Sequence, residues 1–374
     1  MIKYAYSGAR IFDGTDLWRD RVLLREGNVC LGLTDNAPAG FTEVALNGGI
    51  VAPGFVDLQA NGGGGVMLND APTVDTVRTM AQAHWNTGTR GFFPTLITDT
   101  PKKTALAIDA VAQAIQDAVP GVIGLHLEGP HLSVAKKGAH SAELIRPMTP
   151  TDEAVLLEAA SRIPNLLATV APESVTPEQI ARLSAVGIVV SLGHSDCSFE
   201  IACACFQAGA QATTHLFNAM SQMQPRAPGL VGAALHSGVA AGVIADGIHV
   251  HPANIAAALR ASDGLFLVTD AMATLGSEID GFNLNGRRVS RAEGRLTLED
   301  GTLAGADLTI AQAIRVMVDK VGVGLEVALG MATSRPAGLL REQGGLGTFQ
   351  PGVTWTGVYL SDGFEVRVVE GMVR

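Results

Sequence analysis

The chain has 374 residues, 47% of them hydrophobic and 17% charged, with a formal net charge of -10. That balance predicts a soluble globular protein of one large domain with an appendage, or of two domains, and leaves no room for extensive disorder. The negative charge argues against nucleic acid or an anionic membrane as partner, so an anionic small substrate would need a local basic pocket.

Up to about residue 52 the text consists of short strands and turns: YAYSGARIF, a turn at Asp13-Gly14, RVLLREGNVCLGL, a break near Pro38, then FTEVALNGG. The first residues, MIKYAYSGARIFDG, lack the apolar core of a secretory signal. No run of about 18 apolar residues occurs anywhere, so no membrane span is predicted and a cytoplasmic location is expected. So few strands give a poor core, and 354–374 again reads as strands, VTWTGVYL and EVRVVEGMVR, around Asp362-Gly363. The two ends, 1–52 and 338–374, are therefore expected to build one small sandwich-like β domain.

Between them the period changes. Eight apolar runs recur, each followed by a turn and a helical pattern: GFVDLQ, GFFPTL, VIGLHLE, LATVAPE, IVVSLGH, ATTHLF, GVIADG and LFLVTD. This alternation predicts a parallel sheet, and eight units over 53–337 fit a (β/α)8 TIM-type barrel better than an open sheet. Helices are predicted over 74–86, 102–118, 152–161, 177–185, 198–208 and 252–261, with Thr151, Thr176 and either Asp196 or Ser198 as N-caps. A β-like excursion at 282–302, punctuated by Asn285-Gly286, Gly294 and Asp300-Gly301, precedes a last helical stretch at 308–320. With no C-x-x-C pair, Cys30, Cys197, Cys203 and Cys205 read as reduced, buried thiols.

The centre of the chain is GLHLEGPH, read as a strand over 122–127 that delivers Glu128 at a Gly-Pro stop. Barrel chemistry sits at the carboxyl ends of the strands. There the first run supplies Gln59 and Asn61, the third Glu128, the fifth His194, the sixth His215, the seventh Asp246 and His249, and the eighth Asp270. One carboxylate and two imidazoles form an open ligand set for zinc, with iron, manganese or cobalt as other occupants, and leave positions for water. Asp270 is then free for acid-base work, and the chemistry implied is hydrolysis. Of the other histidines, His84 and His236 read as surface or packing residues and His251 as a solvated helix start. His126 either supports Glu128 or packs, and His131 is undecided.

These residues sit in blocks that resemble the amidohydrolase superfamily and, within it, the N-acetylglucosamine-6-phosphate deacetylase family. The blocks are PGFVDLQANGGGG (53–65), PTLIT (94–98), GLHLEGPHL followed by KKGAH (136–140), LGHSD (192–196), THLFNAM (214–220), ADGIHV (245–250), LVTDA (267–271), GTLAGA (301–306) and MATSRPA (331–337). The resemblance implies metal-dependent hydrolysis of the acetamide of N-acetyl-D-glucosamine 6-phosphate, in amino-sugar catabolism. It makes Glu128, His194 and His215 the metal ligands and Asp270 the acid-base residue. Ala139 and His140 would meet the sugar and the acetyl carbonyl, where the imidazole stabilises the developing oxyanion. Asn218, Ala219, Arg226 and the Asp246, Gly247, His249 stretch would hold the substrate and its phosphate, and Leu303, Ala304, Gly305 and Ala306 form a further contacting loop. It also implies a homodimer in which Arg226 reaches the neighbouring subunit's site.

Two departures from the family pattern matter. Where many amidohydrolases carry H-x-H and two metals, this chain has Gln59 and Asn61, a vestigial second-metal position that implies one divalent ion per subunit. The tail reads PGVTWTGVYL in place of the usual Gly-Lys-x-Ala-Asp-Leu block. Another acetamido sugar phosphate, such as N-acetylgalactosamine 6-phosphate, is the alternative substrate, and rates on the two isomers discriminate. A non-catalytic scaffold is the alternative of a different class, opposed by the intact Glu, His, His and Asp set.

Overall fold

Eight apolar runs of the central chain pair in sequence order into one parallel sheet. In the computed structural model, which describes residues 1–372, these strands are β1 (Phe55–Ala60), β2 (Thr89–Ile97), β3 (Leu125–Glu128), β4 (Leu166–Val170), β5 (Val189–Leu192), β6 (Ala212–Thr213), β7 (Ala240–Val243) and β8 (Leu265–Leu267). The sheet curls until its edges meet: Ala60 bridges Ala271, and the Asp270 N–H donates to the Gln59 carbonyl at 3.0 Å. Across the same seam the Asp57 carboxylate accepts from the backbone N–H and the hydroxyl of Thr269. The first five strands are buried along their whole length, because a parallel sheet is covered on both faces. That is why they read as apolar runs.

The covering helices are α1 (Val74–Asn86), α2 (Pro101–Gln116), α3 (Pro150–Arg162), α4 (Pro177–Ala185), α5 (Phe199–Gln207), α6 (Gly229–Ser237), α7 (Pro252–Ala261) and α8 (Ile310–Val316), the last running into a π turn at Met317–Val321. The expected cap of α3 at Thr151 is corrected to Thr149, which forms a capping box with Asp152. Pro150 takes the first helical position, where its missing N–H costs nothing. Thr176 caps α4 as expected, and Ser198 rather than Asp196 caps α5. The β3 strand begins at Leu125, later than the 122–127 reading, with Val122 making only an isolated bridge to Phe92.

The chain ends meet below the barrel. A four-stranded sheet uses Lys3–Ser7, Val22–Glu26, Val29–Thr34 and Thr42–Ala45, and a five-stranded one joins Arg10–Phe12, Leu17–Trp18 and Ile50–Ala52 to Val358–Leu360 and Val366–Arg367. Tyr6, Leu23, Val51, Phe349 and Trp355 share one core between these segments. The tail with the departing motif thus pairs Val358–Leu360 antiparallel to Ile50–Ala52. The last two residues of the expected terminal strand lie outside the described residues. The excursion after β8 is a three-stranded sheet, Gly281–Leu284, Arg287–Ala292 and Arg295–Leu298. No helix among the described residues is long and apolar enough to cross a membrane.

Candidate active site

The carboxyl ends of β3, β5 and β6 converge on one point. His194 Nε2 and His215 Nε2 stand 3.1 and 3.0 Å from the same oxygen, Glu128 Oε1, and 3.1 Å from each other. His194 Nδ1 lies 2.8 Å from the Lys136 carbonyl, which can only accept, so Nδ1 carries the hydrogen and Nε2 the lone pair. A carboxylate oxygen and two ring nitrogens packed this closely repel unless a cation sits among them. All three residues are buried, and the donor set is that of a divalent ion with open positions for water and substrate. Among the described residues no other group of three His, Cys, Asp or Glu side chains comes together in this way.

The backbone is bent to reach this point. His194 (φ 48°), His215 (φ 33°) and Asp270 (φ 51°) all adopt the left-handed region, which few non-glycine residues do. Such strain gathers where the surrounding structure over-determines a side chain's direction.

Asp270 faces the same space from beyond β8. Its Oδ1 accepts from Asn61 Nδ2 at 2.6 Å and Gln59 Nε2 at 3.1 Å, and Gln59 Nε2 also lies 3.3 Å from each oxygen of Glu128. The two amides thus spread donors between the two carboxylates. Burial first, then the nearby Glu128 charge, push the Asp270 carboxyl up to about 6. Protein surrounds Asp270 on most sides, yet the residue keeps some exposed surface.

His140 closes another side. Its Nδ1 lies 2.7 Å from Thr98 Oγ1 and accepts from the Thr98 N–H at 3.3 Å, so the hydrogen is on Nε2. Burial pulls this imidazole well below its ordinary value, and it stays neutral. Only a glycine suits position 129: its φ is +86° and a Cβ would sit 2.3 Å from Thr98 Oγ1. Arg287, from the excursion, donates to the carbonyl of Ala139 and fastens the His140 loop. His126 lies within the barrel, bonded to Thr169 Oγ1 at 2.7 Å and to Thr95 Oγ1, while His131 bonds the Arg146 carbonyl.

These groups line a cavity of about 400 Å³ together with Asn218, Ala219, His249, Leu303 and Gly305. Four residues expected in substrate contact stand behind its wall. Asp246 grips His249 Nδ1 at 2.6 Å, Gly247 faces a neighbouring depression under Lys320, and Ala304 and Ala306 are buried, with the Ala306 N–H bonded to the Asp270 carbonyl. Arg226 does not reach the cavity of its own chain; it is exposed on the loop before α6, beside Lys136 and Asp196. The sequence reading missed the lining residues Ile97, Lys136, Met272, Leu284 and Thr302. Ile97, Lys136 and Thr302 lie inside the motifs PTLIT, KKGAH and GTLAGA, but Met272 and Leu284 carry no signal that separates a cavity wall from core.

A TIM-type barrel with a carboxylate, two imidazoles and an aspartate at its mouth defines the amidohydrolase class. Residues 50–360 match the amidohydrolase family, and the chain belongs to it. It is a hydrolase acting on amide bonds. It is 43% identical over 351 residues to the N-acetylgalactosamine-6-phosphate deacetylase of Shewanella sp. (strain ANA-3), covering 92% of this chain and 88% of that one. It is 34% identical to the N-acetylglucosamine-6-phosphate deacetylase of Haemophilus influenzae, over 94% and 93% of the two chains. The crystal structure of N-acetylglucosamine-6-phosphate deacetylase from Pasteurella multocida superposes with a TM-score of 0.94 at 33% identity, over 99% of each chain.

Proposed function

We propose that this chain hydrolyses the acetamide of N-acetyl-D-glucosamine 6-phosphate to D-glucosamine 6-phosphate and acetate. The observation that carries the reading is the buried Glu128, His194 and His215 cluster with Asp270 beside it, on a chain similar to deacetylases over nearly its whole length. Glu128, His194 and His215 hold one divalent ion, zinc first among the candidates. When bound, such an ion acidifies a water and polarises the acetyl carbonyl.

The chain's own groups do the rest. Gln59 and Asn61 occupy Asp270 Oδ1, leaving Oδ2 to take a proton from the attacking water. His140, fixed by Thr98, offers Nε2–H to the carbonyl oxygen as charge develops there. Protonated Asp270 then returns its proton to the nitrogen as the C–N bond breaks, so the sugar leaves as an amine. His249, oriented by Asp246 through Nδ1, keeps Nε2 for the phosphate, and Asn218, Ala219 and the 303–306 loop position the ring. Arg226 completes the phosphate site of a neighbouring subunit in a homodimer. No described residue of 1–52 or 338–374 lines the cavity, so we assign these segments to a supporting β domain beside the 53–337 barrel. A cytoplasmic setting fits the four free cysteines.

The relative at 43% identity, named for the galacto isomer, supports N-acetylgalactosamine 6-phosphate as a second reading. The isomers differ at one ring hydroxyl, and acetate release from each decides between them. Turnover of the gluco isomer at least equal to the galacto one supports the first reading. Preference for the galacto isomer selects the second, and turnover of neither overturns both.

A further inference from the structure

Far from the site just described, the barrel floor and the terminal strands enclose a second cavity, about 950 Å³, lined by Trp85, Arg90, Val119, Leu346, Trp355 and Thr356 among others. Arg90 is 7% exposed and its guanidinium lies 4.1 Å over the Trp85 ring. Its Nη1 donates to the carbonyls of Trp85 and Thr89, at the C-terminal end of α1, while Nε and Nη2 meet no acceptor among the described residues. Among the described residues no carboxylate pairs with it. Of the acids on the same wall, Asp117 holds Arg78 at 2.5 Å, and Glu342 is exposed with its carboxylate 3.9 Å from Arg341. Buried cations are normally matched by an anion, so this one is anomalous.

Two more donors beside it lack partners. The indole N–H of Trp355, a residue 7% exposed, and the hydroxyl of Thr356 find no acceptor among the described residues. The guanidinium, the indole N–H and the hydroxyl thus belong to residues of one cavity and all leave donor capacity unused, and Val119 and Leu346 supply an apolar wall.

We propose that this floor cavity binds a small organic oxyanion, a carboxylate or phosphate carried on an apolar or ring body, with Arg90 as its charged anchor. Nothing in the deacetylase reaction uses these residues. Two of the chain's three tryptophans line the floor cavity and none lines the active-site cavity, so tryptophan fluorescence reports on it selectively.

The test titrates the full-length protein with benzoate and with phenyl phosphate, using neutral benzyl alcohol as control, and follows fluorescence and binding heat. The expected result is saturable binding of at least one anion, with the stronger of the two identifying the headgroup, and none of the alcohol. Arg90→Gln should weaken binding by about tenfold or more, the scale of a lost charge-assisted bond. Thr356→Val, a milder change should Arg90→Gln fail to fold, should weaken it in the same direction. Absence of saturation with either anion up to about 10 mM, a range that would register even weak millimolar binding, overturns the proposal. Equal affinity for the alcohol, or undiminished binding in the folded variants, overturns it as well.

Discussion

In the proposed reaction Asp270 is the residue on which the chemistry turns, and its neighbours would keep one oxygen for catalysis. Asn61 and Gln59 both donate to Oδ1. Metal-ligating histidines at those places would accept no such duty, because their lone pairs would face the carboxylate. On the proposed reading the amides trade a second ion for a fixed orientation of the acid-base group. Asp270→Asn keeps the shape but can neither take nor return a proton. Its kcat should fall by about 10² or more with the metal content unchanged, the scale of general acid-base catalysis. Near-normal kcat in the metal-loaded variant would move the base elsewhere. At this scale the sequence was informative about Glu128, His194, His215 and Asp270, because each polar residue interrupts an otherwise apolar strand end. Gly247, Ala304 and Ala306 stand behind the cavity wall: a motif identifies a loop but not which of its atoms turn inward.

Helix α1 ties the β1 loop to the barrel through a buried histidine. His84 Nε2 lies 3.0 Å from the Gly62 carbonyl and its ring stacks on Phe92 at 4.8 Å, so the residue packs in the interior rather than at the surface. Burial pulls its pKa from 6.5 down to about 4. The unfolded chain takes up the proton first as pH falls, so this contribution to stability is full above about 6.5 and is lost toward 4. At pH 5 the loss is about 2 kcal/mol from this one residue. The urea midpoint should therefore drop between pH 7 and pH 5, and His84→Gln should flatten part of that drop. A wild-type midpoint constant over the interval would show His84 to be protonated in the fold. Among the elements, α6 was invisible in the sequence: GLVGAALHS is nearly all apolar or glycine, and Gly229 to Ala234 are buried, so no polar face marks its period. Helices α1, α4 and α7 were read to the residue, since each combines an amphipathic pattern with a cap or a proline at its start.

For the molecule as a whole, the subunit's own cavity contains no arginine among the described residues, although its proposed substrate carries a phosphate. Arg226 is exposed on a loop bordering a separate depression, in keeping with service to a partner's site. Arg226→Ala should raise KM for the phosphorylated sugar by about tenfold or more with a smaller change in kcat, and sedimentation should show a dimer. A fully active monomer would contradict this. The barrel was legible because both faces of a parallel sheet must be apolar; the joining of the two chain ends was legible because neither end could build a core alone. The floor cavity was not, since Arg90 and Trp355 lie 265 residues apart and meet only after folding. The measurement that bears most directly on the account follows acetate release from N-acetylglucosamine 6-phosphate and N-acetylgalactosamine 6-phosphate by the purified protein, before and after chelation and on return of zinc. The account predicts turnover of at least one isomer, its loss with the ion, and recovery at about one equivalent per chain, as three ligands around one position require. Undiminished turnover by the metal-free protein, or recovery only at two tight equivalents, would contradict it.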